Sequence, residues 1–319
     1  MTKPHVLVTD WLIPDFDIER NAFETAGCTW SMPTWSPPAP PADELHQQLL
    51  ERIRSSEQID AVLFQLAPLN AEVIDALSGN CKIMQRVGIG LDNVDLEYAA
   101  QRGIEVRNVP DYCTQEVSVQ AMAKLLSMHR QLSQTHQALL KGPWLDRPPH
   151  PITRLSDLTL GLIGLGRIGK QVAEWMGPMV GRILFYDPYL ESVPSDCQSV
   201  SRDELLREAD LISLHCPLTS ETRKIIDEPA LRLVKPTAIL ANTARGGLID
   251  AAALADALSG GRLAAAALDV FDPEVPSADS PLRRVPNAFL TSHTAWYSEE
   301  SKVEVRTKAV ANILNKIAN

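Results

Sequence analysis

Residues 158–187 place the tightest limit on what this chain can fold into. An apolar run (Leu158, Leu160, Leu162, Ile163) ends in Gly164-Leu165-Gly166-Arg167-Ile168-Gly169, and a helical pattern follows at once. A second apolar run, Ile183 to Tyr186, then ends in Asp187. Strand, glycine turn, helix and strand in this order are the setting a dinucleotide fingerprint requires. Gly164 allows the tight turn, Gly166 lets backbone N–H groups approach a pyrophosphate, and Gly169 lets helix pack close to strand. The helix start at Arg167 and Ile168 adds free N–H donors and partial positive charge. Asp187 stands 18 residues past Gly169, the place of a carboxylate that accepts from the adenosine ribose hydroxyls. An acid there repels a 2′-phosphate, so the pattern favours NAD over NADP.

The rest of the composition narrows the class. At 319 residues the chain is long enough for two domains. A formal net charge of −10 argues against nucleic acid or an anionic membrane as partner. The 5 cysteines (Cys28, Cys81, Cys113, Cys197, Cys216) form no CxxC pair and fit reduced thiols in a cytoplasmic protein. The start, MTKPHVLVTDW, has too short an apolar run for a signal peptide, and no stretch is a membrane span. The 7 histidines show no HExxH or paired spacing, so no metal site is expected.

Along the chain, short apolar runs alternate with helical patterns, as in open parallel sheets. Strands are predicted at His5–Thr9, Ala61–Gln65, Ile83–Val87 and Ile104–Val109 in the first part. Between them lie helices near Ile18–Ala26, Glu44–Ile53, Asn70–Gly79 and Asp95–Gln101. Ser31 to Pro41 holds 5 prolines and reads as a surface connection. Gln115 to Leu140 reads as one long helix crossing between domains, and Asp146–Pro151 as a proline-rich connector. After the fingerprint come strands at Leu211–Cys216, Ala238–Asn242, Ala264–Val270 and Ala288–Thr291, and a last helix at Glu300–Ile317.

Ligands of open α/β sheets collect at the carboxyl ends of strands. Arg245 follows AILANTA, Glu274 follows AALDVFDP, and His293 follows NAFLTS, so three chemically able groups leave three strands of the fingerprint domain. Alone, each has a plainer role, as a solvated arginine, a turn acid or a structural histidine. Together with a nucleotide fold they suit reduction of a 2-keto acid by NADH. Arg245 can hold the substrate carboxylate with its planar fork. His293 can give a proton to the carbonyl oxygen, and Glu274 can orient the imidazole and favour its charged form.

Six motifs in order, VGIGLDNVD (Val87–Asp95), GLIGLGRIG, HCPLT (His215–Thr219), NTARGGLID (Asn242–Asp250), AALDVFDPE and SHTAWYSEES, give a resemblance that covers nearly the whole chain. The sequence resembles the D-isomer-specific 2-hydroxy acid dehydrogenase family. The resemblance implies two Rossmann-like or flavodoxin-like doubly wound parallel-sheet domains with the active site in the cleft between them. Residues 1–113 and 297–319 would form the substrate domain, and 114–296 the NAD-binding domain, through which a homodimer forms. It implies catalytic roles for Arg245, Glu274 and His293, and substrate contacts at Val87 and Gly88. Cys216, Pro217, Thr243, Ala244 and Asp269 would join Gly164, Gly166, Arg167, Ile168 and Asp187 around NAD, with Asp269 at the nicotinamide carboxamide.

HTAWYS and QRVGIG resemble the subgroup that includes the C-terminal binding protein corepressors, which implies that Trp296 lines the substrate pocket and Arg86 reaches the substrate. Two positions depart from the family: Ser292 stands where proline usually precedes the histidine, and Val275 where proline follows the glutamate. Ser292 leaves the backbone before His293 less constrained. The alternative function is an NAD(H)-sensing dimeric interaction protein like those corepressors; the lack of long disordered tails favours the enzyme. A formate- or phosphite-type dehydrogenase is a third reading, and Glu274, where formate enzymes have glutamine, argues against formate.

Overall fold

The computed structural model describes residues 3–33, 42–142, 144–190 and 195–318. Its backbone divides into two compact units, Met1–Tyr112 with Ser298–Asn319, and Cys113–Tyr297.

The first unit runs β1 (His5–Val8), α1 (Asp17–Thr25), β2 (Thr29–Ser31), α2 (Ala42–Ser55), β3 (Ala61–Phe64), α3 (Ala71–Leu77), β4 (Ile83–Arg86), α4 (Leu96–Gln101) and β5 (Glu105–Arg107). The C-terminal helix, Glu299–Ile317, returns to pack on α1, β3 and β4. The five strands are all parallel in the order β2-β1-β3-β4-β5, the flavodoxin-like order. Parallel strands are covered on both faces, which is why AVLF of β3 is apolar at every position and buried throughout. Leu49, Leu50 and Ile53 of α2 pack on this sheet with Val73, Ile74 and Leu77 of α3. Asn70 caps α3, its side chain accepting from the Val73 N–H at 3.1 Å.

The second unit runs α5 (Thr114–His129), α6 (Leu132–Leu140), β6 (Thr159–Ile163), α7 (Arg167–Met176), β7 (Arg182–Tyr186), β8 (Gln198–Ser199), α8 (Arg202–Glu208), β9 (Leu211–Leu214), α9 (Glu228–Leu233), β10 (Ile239–Asn242), α10 (Ala251–Ser259), β11 (Ala265–Leu268) and β12 (Ala288–Leu290). Its seven strands are parallel in the order β12-β11-β10-β9-β6-β7-β8. Counted from β6, that is the Rossmann order with one strand more, and the direction of winding reverses between β6 and β9. Two buried apolar clusters, one on each face, hold this sheet.

Two expectations need correction. Gln115–Leu140 is two helices, because Gln131 takes a left-handed φ of 53°. No glycine or proline marks the break. Instead the buried Gln131 side chain donates to the His150 carbonyl at 2.8 Å and accepts from its N–H at 3.1 Å, which fixes the turn. Nor does α5 cross between units: it lies wholly in the second, against α7 and β10. The short pieces β2, β8 and α9 escape a reading by periodicity because none shows a full repeat. Of the stretch 31–41, residues 34–41 lie outside the described residues, as does the side chain of Leu45. No helix among the described residues is long and apolar enough to cross a membrane.

Candidate active site

The fingerprint turn lies where the seven-stranded sheet reverses its winding. Gly164 has φ +93° and follows β6, and a Cβ on it would lie 2.6 Å from the Cys216 nitrogen after β9. A Cβ on Gly169 would lie 2.4 Å from the Gly164 carbonyl. Both positions therefore need glycine for close packing, whereas space around Gly166 is open for a ligand. Asp187 accepts from the Leu165 N–H at 2.8 Å and the Tyr189 N–H at 3.0 Å, which holds its carboxylate at the end of β7. Further along the same sheet edge, His215 Nε2 after β9 and Thr243 Oγ1 after β10 are buried without a hydrogen-bond partner among the described residues, as is Ser213 Oγ inside β9. A glycine cradle, a ribose-side carboxylate and a row of unsatisfied polar atoms fit a dinucleotide lying across β6, β9 and β10.

Cys216 and Pro217 follow β9 at the same edge. Burial pushes the Cys216 thiol up to about 11, so it is a neutral wall of this edge rather than a nucleophile. His215 beside it has a buried Nε2, although part of the residue is accessible. Burial lowers its imidazole to about 4, below the 6.5 of an unfolded chain. As pH falls the unfolded chain takes the proton first. The contribution of His215 to stability is thus full above about 6.5 and lost as pH drops toward 4, at most about 3 kcal/mol. His215→Asn is expected to flatten the fall of urea-unfolding free energy across that window; an unchanged slope would assign the acid sensitivity elsewhere.

The other candidates leave β10, β11 and β12. Asn242 ends β10, accepts from the Ala244 N–H at 3.0 Å and donates to the Arg245 carbonyl at 2.8 Å, a turn that sets Thr243-Ala244-Arg245. Gly246 follows because a Cβ there would fall 1.9 Å from the Phe271 carbonyl carbon. That close approach brings the Arg245 loop against the loop carrying Glu274. Glu274 in turn pairs through Oε1 with His293 Nδ1. This leaves Nε2, the other ring nitrogen, for a substrate.

Asp269, fully buried, ties these loops together. Its N–H donates to Asn242 and its carbonyl accepts from the His293 N–H at 2.7 Å. Its carboxylate accepts from the Thr291 hydroxyl and from the N–H groups of Thr294 and Ala295, at 3.3 and 2.8 Å. His293 has φ 51°, a conformation that a non-glycine residue keeps only where its surroundings hold it. The constraint that proline would supply before the histidine comes here from Asp269. Trp296 follows on this turn and meets Tyr297 edge-on, ring centres 5.5 Å apart.

In the first unit, Arg86 ends β4, 5.8 Å from the centre of the Phe64 ring, and Val87 and Gly88 follow. Gly88 has φ +153°, and a Cβ there would lie 3.2 Å from Arg86 Nε. The winding of this sheet reverses between β1 and β3, where a nucleotide would be expected. That point is filled from within: Asp10, buried, accepts from the N–H groups of Gln65 at 3.0 Å and Leu66 at 2.5 Å and from the Thr9 hydroxyl. Donors that could meet a phosphate already hold a carboxylate.

Residues 122–295 match the family described as D-isomer specific 2-hydroxyacid dehydrogenase, NAD binding domain. The chain belongs to the D-isomer-specific 2-hydroxyacid dehydrogenase family. The structure is similar to that of the TT0316 protein from Thermus thermophilus, with a TM-score of 0.84 and 32% identity over 98% of this chain and 97% of that one. It is also similar to D-lactate dehydrogenase of Aquifex aeolicus complexed with NAD and lactic acid (TM-score 0.84, 26% identity, 98% and 95% covered). Among curated proteins, D-3-phosphoglycerate dehydrogenase of Methanocaldococcus jannaschii is 38% identical over 275 residues, 85% of this chain and 51% of that protein. The chain spans about half the length of the curated relatives it matches. As a member of this family it has an NAD-binding unit, and that unit contains the turn at Gly164–Gly169 and Asp187.

Reading motifs overlooks Asp10, Lys124 and Thr291. Lys124 leaves a signal in the sequence, a lysine at helical spacing between Ala121 and Met128 on the buried face of α5. Asp10 and Thr291 leave none, because their partners are distant in the chain.

Proposed function

We propose that this chain is an NAD-dependent D-2-hydroxy acid dehydrogenase, or 2-keto acid reductase, with His293 as its acid and base. The observation that carries this reading is the Glu274–His293 pair, set on a turn that buried Asp269 holds at the edge where the dinucleotide fits. The reduced nicotinamide, when bound, supplies the hydride. Arg245 holds the substrate carboxylate in its planar fork. His293 gives a proton from Nε2 to the carbonyl oxygen in reduction and takes it back in oxidation. Glu274 fixes the ring by accepting at Nδ1. Arg86, Val87 and Gly88 contact the substrate, Trp296 lines its pocket, and Asp269, Thr243 and Ala244 meet the nicotinamide end of NAD.

The substrate carries no phosphate in this reading. Over residues 9–12, 65–70 and 86–92, the turns after β1, β3 and β4, Arg86 is the sole cation, and the exposed side chains there include Leu12 and Leu66. The Arg52 guanidinium also reaches the end of β1, where it donates to the Val8 and Thr9 carbonyls at 2.7 and 3.3 Å, so Arg86 is the one cation that these turns themselves offer a phosphate.

The chain acts as a homodimer through its NAD-binding unit. Helix α6 buries none of its residues, and Leu132, Leu139 and Leu140 on it, with Trp144 beyond, expose a large apolar surface. Sedimentation is expected at twice the 35.1 kDa of the chain. A monomer would refute the assembly. We assign the protein to the cytoplasm, where its 5 cysteines, with no CxxC pair, stay reduced.

The experiment that tests the reading is a screen of 2-keto acids with NADH and NADPH, followed at the absorbance of the reduced cofactor. An unphosphorylated 2-keto acid is expected to turn over with NADH, at least about tenfold better than with NADPH, because Asp187 repels the 2′-phosphate. Asp187→Ala narrows that gap. No turnover of any 2-keto acid, or equal use of both cofactors by the unmodified protein, would defeat it.

A further inference from the structure

Lys124 on α5 is the only lysine buried among the described residues, with 2% of its surface exposed. A lysine side chain is long enough to bring its ammonium to water from most positions, and here it turns inward. Its Nζ donates to the Leu268 carbonyl at 3.1 Å and to Thr291 Oγ1 at 2.7 Å, and lies 5.2 Å from the centre of the Phe289 ring. The Thr291 hydroxyl in turn donates a hydrogen bond to the Asp269 carboxylate. The other donors to that carboxylate are two peptide N–H groups, so Lys124 is its counter-charge. Burial lowers the Lys124 ammonium to about 8, and the charge of Asp269 opposes that fall.

We propose that Lys124 is a positioning residue for proton transfer. Through Thr291 it holds the buried Asp269 carboxylate in place, and Asp269 holds the turn 291–295 that aims His293. The inference rests on the reading of His293 as acid and base. Without the ammonium, Thr291 loses the partner that orients it and Asp269 is left a buried carboxylate with no counter-charge, which shifts toward water. A carboxylate so displaced no longer meets the N–H groups of Thr294 and Ala295, and the left-handed turn at His293 loses what holds it. The imidazole then samples directions that miss the carbonyl oxygen.

The test uses the full chain with NADH and the best 2-keto acid of the screen, comparing wild type, Lys124→Met, Thr291→Val, their double variant and Lys124→Arg. Lys124→Met is expected to lower kcat roughly tenfold or more while KM for the keto acid changes less than about threefold. Thr291→Val should lower kcat roughly fivefold or more, and the double variant no further than the worse single one, since one chain of contacts is broken once. Lys124→Arg keeps the charge and should recover a large share of kcat, which loss of packing alone would not predict. Amide hydrogen exchange over residues 293–295 should quicken in both single variants while that of α7 stays unchanged. Any of three outcomes overturns the proposal: kcat within about twofold of wild type in either single variant, losses that multiply in the double, or Lys124→Arg no better than Lys124→Met. Should Lys124→Met fail to fold, Thr291→Val decides alone. A wild type that reduces no 2-keto acid would defeat the functional reading instead, and the exchange rates over 293–295 would still report on the clamp.

Discussion

Replacing His293 with alanine is expected to lower kcat for 2-keto acid reduction by about a hundred- to ten-thousandfold, the range of a positioned general acid. NADH binding, read by fluorescence titration, should stay within about threefold, because Gly164, Gly166 and Asp187 lie on other loops. The carbonyl oxygen gains charge as hydride arrives, and water at the same place is a poorer and unoriented donor. Reduction begins with a protonated ring and oxidation with a neutral one. Glu274→Gln keeps the shape of the side chain but removes the charged acceptor at Nδ1, and should cost about tenfold or more in kcat. In the double variant the glutamine should add nothing to the alanine, since it has no ring left to orient. Full additivity of the two losses would separate Glu274 from His293 and end the assignment of the pair.

Replacing Arg306 with methionine should cost the fold about 3–5 kcal/mol in urea-unfolding free energy. Arg306 on the C-terminal helix is 2% exposed, and its partner Glu19 on α1 is fully buried. Nε and Nη2 of the guanidinium meet the two carboxylate oxygens of Glu19 at 2.8 and 2.7 Å, a bidentate pair. A third contact reaches Asp15 at 2.6 Å, and the guanidinium lies 5.7 Å from the centre of the Trp11 ring. Methionine keeps the length of the side chain but leaves Glu19 without a counter-charge inside the protein. Glu19→Leu in the same chain removes that stranded carboxylate, and the double variant should regain most of the loss. A single variant within about 1 kcal/mol of wild type would mean that water reaches Glu19 and the pair is not buried in solution. The pair joins residues 287 positions apart and so fastens the last helix to the start of the same unit.

Local chemistry made much of the site legible. The glycine turn can be read because Gly169 packs on the Gly164 carbonyl inside one βαβ unit, Gly164 takes a φ of +93° and Gly166 leaves an open approach, although the contact of Gly164 with Cys216 comes from outside that unit. Strands such as AVLF and LISL can be read because parallel sheets bury both faces, so the apolar run is continuous. Asn70, Ser201, Asp227 and Asp250 mark helix starts because their side chains accept from N–H groups two or three residues on. The break at Gln131 was not legible, since it depends on His150, 19 residues away. The edge strands β2 (TWS) and β8 (QS) were not legible because, unlike the short edge strands β5 and β12, neither lies in an apolar run.

By itself, then, the sequence determined the alternation of strand and helix, the dinucleotide turn, and which loops bear Arg245, Glu274 and His293. Each of these rests on interactions within one turn or one βαβ unit, where spacing along the chain is also spacing in space. Only the tertiary structure decided what aims those residues. Asp269 gathers Thr291, His293, Thr294 and Ala295 from more than 20 positions away, and Lys124 reaches the same cluster from 167 positions before Thr291. Asp10 fills the reversal point of the first sheet through residues 55 and 56 positions on, and so keeps phosphate away from it. A buried charge has to be matched by whatever the fold brings beside it, and no period or motif in the chain records which partner that will be.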